Sequence, residues 1–111
     1  MGLKKLSFSK EYKGKIKKGL KTQTVRLSTK LREGDEVEVV AGGEGLGKAR
    51  ITKIELKTVD QLTDEDARRD GFKNVGELRD ALRRHYGKIG GNRRVYLISF
   101  ELERKSDEAP Y

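Results

Sequence analysis

Apolar residues along this chain fall into short blocks whose spacing switches between two residues and three to four. Leu6 and Phe8, followed by Tyr12, Ile16 and Leu20, predict a short strand and then a turn or two of helix, with Ser9 as N-cap and Gly19 as terminator. Lys13, Lys15, Lys17 and Lys18 would then lie on the solvent side of that helix. In the next segment Thr22, Thr24 and Arg26 share one parity and Gln23, Val25 and Leu27 the other, so hydroxyls and guanidinium would point the same way from an extended chain. Gly34-Asp35 signals a turn, after which Glu36-Val37-Glu38-Val39 alternates as a half-buried strand does. Gly42 to Gly47 reads as a flexible hairpin connection into Ala49-Arg50-Ile51, and a change of apolar parity between Ile51 and Ile54 predicts a β-bulge near Thr52-Lys53.

Two helices are expected next. Thr63 with Asp66 three residues later forms a capping box, Gly71 ends that helix, and Asn74 with Glu77 repeats the logic for a second. Val75, Leu78, Ala81, Leu82 and Tyr86 give the second helix its buried stripe. From Arg94 to Glu103, Tyr96, Ile98, Phe100 and Leu102 lie on one face and Val95 and Leu97 on the other, the pattern of a central strand. The order of strand, helix, several strands, two helices and a closing strand fits an α+β mixed barrel in a single domain, residues 1–103. The tail 104–111 loses the pattern and is expected to fray.

Charge is distributed unevenly over this frame. Residues 1–32 carry 11 Lys and Arg against the single acid Glu11, whereas residues 33–111 carry 15 against 17 Asp and Glu, so the net +8 comes wholly from the first third. Such a footprint suits a polyanion, because each cation that neutralises a phosphate releases counterions. RNA or DNA is therefore the first partner to consider, and Lys13, Lys17, Lys18, Lys21, Thr22 and Arg26 are the candidate contacts to RNA. The chain has no cysteine and one histidine, His85, which argues against a thiolate or histidine metal centre, and no cofactor is expected. Without a long apolar run or a signal-like start, a soluble, cytoplasmic monomer that does not engage a membrane is expected. A charged fraction of 40% with few Asn and Gln resembles the balance in heat-adapted proteins.

Two motifs imitate known ligand sites. Gly42 to Lys48 matches the glycine and lysine positions of a phosphate-binding loop, but Ala49 replaces the hydroxyl that ligates magnesium and a strand pattern follows where a helix is needed. Gly87-Lys88-Ile89-Gly90 imitates a nucleic-acid clamp that lies between two helices, yet here a strand comes next, so a basic linker is expected. His85, among Arg83, Arg84 and Tyr86, reads as an exposed helix residue.

Taken in order, Lys21-Thr22-Gln23-Thr24-Val25-Arg26, Gly34-Asp35, Leu62-Thr63-Asp64-Glu65-Asp66-Ala67, Asp70-Gly71-Phe72 and Val95 to Glu101 resemble the ASCH family over residues 6–103. The resemblance implies a PUA-like β-barrel with flanking helices and RNA-related work in a cleft between barrel and helices. Small bacterial members similar to this chain hydrolyse the acetyl amide of N(4)-acetylcytidine with a Lys and a Thr of the K-T-x-T motif and a helical Glu. By motif position these look like Lys21 and Thr24, while Asp70 stands where Glu is expected. The shorter carboxylate is set back by one methylene, and about 1 Å of misplacement can cost on the order of a hundredfold in rate.

The residue types are consistent with either chemistry. Amide hydrolysis needs a nucleophile, the Thr24 hydroxyl or a water, and a base, for which a lysine with its pKa lowered by neighbouring cations qualifies. Alternatively Lys21 and Arg26 contact phosphates, Thr24 donates a hydrogen bond and Asp70 ends a helix in an ion pair. A role as a protein adaptor has little support in so charged a surface.

Overall fold

In the computed structural model, which describes residues 3–103, the strands are β1 (Lys4–Phe8), β2 (Gln23–Arg26), β3 (Glu36–Ala41), β4 (Glu44–Thr58) and β5 (Arg94–Leu102). Helix α1 (Lys13–Lys17) follows β1, while α2 (Asp64–Arg69) and α3 (Val75–Tyr86) lie between β4 and β5. Alternation puts Leu6 and Phe8 on the same side as Val39 and Ala41, their partners in a parallel β1–β3 ladder. All other ladders are antiparallel, and the strand order is β1-β3-β4-β5-β2. The result is an α+β fold, a mixed five-stranded sheet curled into a half-barrel with a few helices.

Strand β5 is bonded on both edges and buried on both faces, as its sequence pattern predicts. Ile98 and Phe100 enter a cluster with Leu6, Phe8, Tyr12, Ile16 and Val39, inside the curl. Val95 and Leu97 enter a second cluster with Val25, Leu62, Ala67, Leu78 and Leu82, which seats α2 and α3 on the other face. Because β2 pairs with β5, its own alternation divides the same way. Thr24 and Arg26, opposite Ile98 and Tyr96, face the curl, while Gln23 and Val25 face the helices, where Gln23 Nε2 donates to the Asp66 carbonyl at 3.2 Å.

The capping signals form as read. Thr63 Oγ1 accepts from Asp66 N at 3.1 Å while Asp66 Oδ2 accepts from Thr63 N at 3.0 Å, and Asn74 Oδ1 accepts from Glu77 N at 3.0 Å. The bulge is also present, since Ile51 pairs with Phe100 and Lys53 with Ser99, leaving Thr52 between them.

Several expectations need correction. Helix α1 stops at Lys17, and Leu20, whose spacing continues the helical pattern, is 58% exposed beyond the positive-φ Gly19. Lys15 is not a solvent residue, because its ammonium donates to the Gly71 carbonyl at 2.6 Å. The segment Gly42–Gly47 is no flexible loop. Gly42 and Gly43, at φ 59° and 83°, make a two-residue turn, and Glu44 already pairs with Ala41 in a 15-residue strand. Tyr86, at the end of the α3 stripe, is exposed. The tail 104–111 lies outside the described residues.

Candidate functional site

Strands β1 and β2 form the two edges of the sheet and do not pair with each other. Arg26 bridges this seam by side chain, its guanidinium donating to the Ser7 carbonyl at 2.6 Å, and its Nε donates to Thr24 Oγ1 at 3.0 Å. Behind the seam the chain before β2 is pinned from both sides. Thr22 N donates to the Arg69 carbonyl at 2.8 Å and Phe100 N donates to the Thr22 carbonyl at 2.9 Å, which fastens residues 21–22 between the end of α2 and β5.

That anchoring brings Lys21 against Asp70, the C-cap of α2. The two side chains, each 3% exposed, form an ion pair, and Lys21 Nζ also donates to the Asp70 carbonyl at 3.1 Å. Gly71, at φ 86°, makes the approach possible. A Cβ there would meet Lys21 Cβ at 3.3 Å and Lys15 Cδ at 3.2 Å, and an L side chain disfavours that backbone in any case. Three rings surround the Lys21 ammonium, with centroids at 4.7 Å for Tyr12, 5.5 Å for Phe8 and 5.6 Å for Phe72. Their π faces replace part of the hydration the ammonium has lost.

Burial pulls the two titrations toward each other, and pairing works against it. Burial pushes the Asp70 carboxyl from 3.8 up to about 6, against the attraction of Lys21 and Arg26. Burial likewise lowers the Lys21 ammonium from 10.5, opposed by Asp70 and assisted by Arg26 and Lys15. Both shifts narrow the gap in proton affinity that separates the two groups in water. Burial also lowers Arg26 and raises the Tyr12 phenol to about 12, so Tyr12 keeps its proton.

These groups line one cavity of about 260 Å³ at the seam. Ser7, Phe8 and Ser9 form one side, Thr24, Val25 and Arg26 the other, and Tyr12, Phe72, His85 and Tyr86 complete the wall around Lys21 and Asp70. Tyr12 Oη and His85 Nε2 share a hydrogen bond of 2.8 Å, which ties the wall from α3 to the residue before α1.

Of the residues singled out by sequence, Lys21, Thr24, Arg26 and Asp70 come together in this cavity, and the shorter carboxylate of Asp70 does reach Lys21. Thr22, assigned the parity of Thr24, is exposed and lies outside the cavity because the strand begins only at Gln23. Lys13, Lys17 and Lys18 do not line it either. Lys13 pairs with Glu44 at 2.7 Å, while Lys17 and Lys18 are exposed. Sequence reasoning missed Phe8, Tyr12, Phe72 and His85 as site residues. Apolar spacing marks Phe8 and Tyr12 as core, Phe72 enters only through the motif Asp70-Gly71-Phe72, His85 reads as an exposed helix residue, and only the third dimension shows that this part of the core opens. Among the described residues no cluster of His, Asp or Glu could hold a metal ion. None of the described helices is long and apolar enough to cross a membrane.

The ASCH domain family model matches residues 3–104, nearly the whole chain. The chain therefore belongs to the ASCH domain family, whose members are generally linked to RNA binding. Its fold is similar to the ASCH domain from Lactobacillus crispatus JV V101, at 17% identity and a TM-score of 0.73 over 88% of this chain and 80% of that one. Protein EF3133 from Enterococcus faecalis V583 is similar at 18% identity and a TM-score of 0.67, covering 92% and 81% of the two chains. A third similar structure, hypothetical protein PH0355, shares 22% identity at a TM-score of 0.64 over 88% of this chain and all of the other. At such identities the likeness is one of fold. No curated protein matches the chain.

Proposed function

We propose that this ASCH domain binds a nucleobase, in RNA or as a modified nucleoside, in the seam cavity. The observation that carries the reading is the convergence of Lys21, Thr24, Arg26 and Asp70 in a hollow of about 260 Å³ walled by Phe8, Tyr12 and Phe72. That volume falls just below the roughly 300–1,000 Å³ usual for small-molecule sites, which favours one base over a larger ligand. Aromatic walls suit a flat ring, and the polar groups suit the donors and acceptors along its edge. Exposed Lys17 and Lys18 add to the positive field that draws a phosphate chain toward the domain, Lys13 contributes less because Glu44 offsets it, and Thr22 is a contact only for strand passing outside the cavity. Titration with single-stranded RNA at about 50 and 200 mM salt, and with N(4)-acetylcytidine, tests this reading. Wild-type binding that Lys21→Ala and Thr24→Ala weaken is expected; no binding of either ligand by folded protein refutes it.

The Lys21–Asp70 pair favours a second reading, amide hydrolysis of N(4)-acetylcytidine. Transfer of a proton from the Lys21 ammonium to Asp70 leaves a neutral amine, which takes a proton from an attacking water as its oxygen bonds to the acetyl carbon. Arg26 occupies one lone pair of Thr24 and leaves the Thr24 hydroxyl proton to stabilise the oxygen that becomes negative. The C–N bond then breaks as N4 takes the proton from Lys21, cytidine and acetic acid leave, the acid gives its proton to solvent to become acetate, and Asp70 returns its proton to Lys21. Chromatography of cytidine released from N(4)-acetylcytidine separates the readings: release abolished by Lys21→Ala and Thr24→Ala supports hydrolysis, and binding without release leaves the first reading alone.

A further inference from the structure

Beside the cavity lies a second, open hollow of about 700 Å³, lined by Leu27, Leu56, Lys88, Ile89, Gly90, Asn92, Arg93, Arg94 and Tyr96. The two hollows meet along the chain at two points. Arg26 lines the first and Leu27 the second, and Tyr86 lines the first while Lys88, two residues on, lines the second. In addition Arg26 pairs with Tyr96 across the β2–β5 ladder, so both side chains rise from the same face. The lip between the hollows is therefore Arg26 on one side and the end of α3 on the other.

The lining of the groove combines two kinds of surface. Lys88, Arg93 and Arg94 are exposed, and none of them forms an ion pair among the described residues. Asp60 packs against Gly91 in the same loop, but neither residue lines the groove. Tyr96 and the 49% exposed Leu56, opposite each other in the β4–β5 ladder, offer a flat apolar floor. Unpaired cations beside an aromatic platform match a phosphate chain with its neighbouring base, where the charges take the backbone and the ring takes a stack.

We infer that the domain's ligand is single-stranded RNA, with one base in the seam cavity and the adjoining nucleotides running over the Arg26–Tyr86 lip into the groove of Lys88, Arg93, Arg94 and Tyr96. The inference rests on the nucleobase reading of the cavity and extends it from a free nucleoside to a strand. A duplex does not fit this arrangement, because a base seated in the seam hollow has left its stack and its pair.

The test uses the full chain with two probes that share one base, N(4)-acetylcytidine alone and a five-nucleotide single-stranded RNA carrying it at the centre. Wild-type protein is expected to bind the pentamer at least about tenfold more tightly than the nucleoside, with a salt slope that shrinks by about 0.7 for each groove cation removed. The variant Lys88→Glu/Arg93→Glu/Arg94→Glu, whose three sites are exposed and whose thermal melt is checked against wild type, is expected to lose that margin and keep its affinity for the nucleoside. Tyr96→Leu weakens the pentamer alone. A pentamer that binds no better than the nucleoside, or a triple variant that retains the full margin, overturns the inference while the cavity reading stands. Equal competition by oligoglutamate also overturns it, since the groove would then read charge and not a nucleotide strand. If neither probe binds wild-type protein, the cavity reading falls and this one with it.

Discussion

Asp66 and Asp70 stand one turn apart at the two ends of α2, each 3% exposed and each paired with a lysine, yet they are perturbed in opposite directions. Burial works against the charge of both. At Asp66 it is outweighed by Lys57 at 2.8 Å and by the Thr63 backbone N–H at 3.0 Å, and the carboxyl is held below 3.8. At Asp70 burial prevails over Lys21 and Arg26, and the carboxyl rises to about 6. Depth of burial and the hydrogen bonds accepted account for the difference, Asp70 lying deeper and Asp66 accepting from both Lys57 and Thr63 N, and position on the helix acts in the same sense. The N-terminal turn presents unpaired N–H groups to Asp66, whereas the C-terminal end presents carbonyls near Asp70, and the partner of Asp66 retains some contact with water. A carboxylate at the first end is committed to holding the helix, while one at the second takes up a proton near pH 6.

The largest effect should come from breaking the buried pair. Asp70→Ala leaves the Lys21 ammonium buried without its counter-charge and is expected to cost about 3–5 kcal/mol in urea unfolding. The double variant Lys21→Met/Asp70→Leu should recover that loss, since apolar replacement of a whole buried pair is neutral to stabilising by about 1–4 kcal/mol, but should bind no ligand. A double variant as unstable as Asp70→Ala would mean that the pair holds the fold and not merely the site.

A pH series sharpens the contrast further. Between 3.8 and about 6 the folded chain binds more protons at Asp70 than the unfolded chain does, so this group makes stability rise as pH falls through 6. Asp66 has the opposite sign, and its contribution, present above its unfolded value, is lost as pH falls through its lowered folded value. Midpoints of unfolding should therefore increase from pH 7 toward 5 and decline in stronger acid, with the first limb missing in Lys21→Met/Asp70→Leu. A steady decline from pH 7 downward would contradict the raised Asp70.

The smallest effect belongs to the other end of the helix. Asp66→Asn removes the charge from the capping box but leaves Lys57 able to reach water, so a loss of about 0.5–2 kcal/mol is expected, with ligand affinity unchanged in the same titrations. Loss of binding there would erase the distinction between the two aspartates.

What could be read from sequence follows from the range of the signal. Capping at Thr63 and Asn74 and the bulge at Thr52 are decided within a few residues, and all three are legible. So is the membership of Lys21, Thr24 and Arg26 in one motif. Whether Asp70 meets Lys21 depends on bonds such as Thr22 to Arg69 and on the turn at Gly71, contacts that span nearly half the chain and leave no local pattern. Phe8 and Tyr12 show the other limit. Their spacing identifies apolar burial correctly, but a core side chain and a cavity wall have the same periodicity. Leu20 shows a third limit, since its spacing carries the helical repeat beyond the end that Gly19 signals and the helix reaches at Lys17.

The unpaired edges β1 and β2 give the site an inexpensive doorway. Had a backbone ladder closed the sheet there, admitting a molecule would require several bonds to part together and a strand to move, a collective event in the microsecond range or slower. Here one guanidinium holds one carbonyl across the gap, Arg26 to Ser7, so a turn of a single side chain unlatches the opening while the rest of the sheet stays rigid.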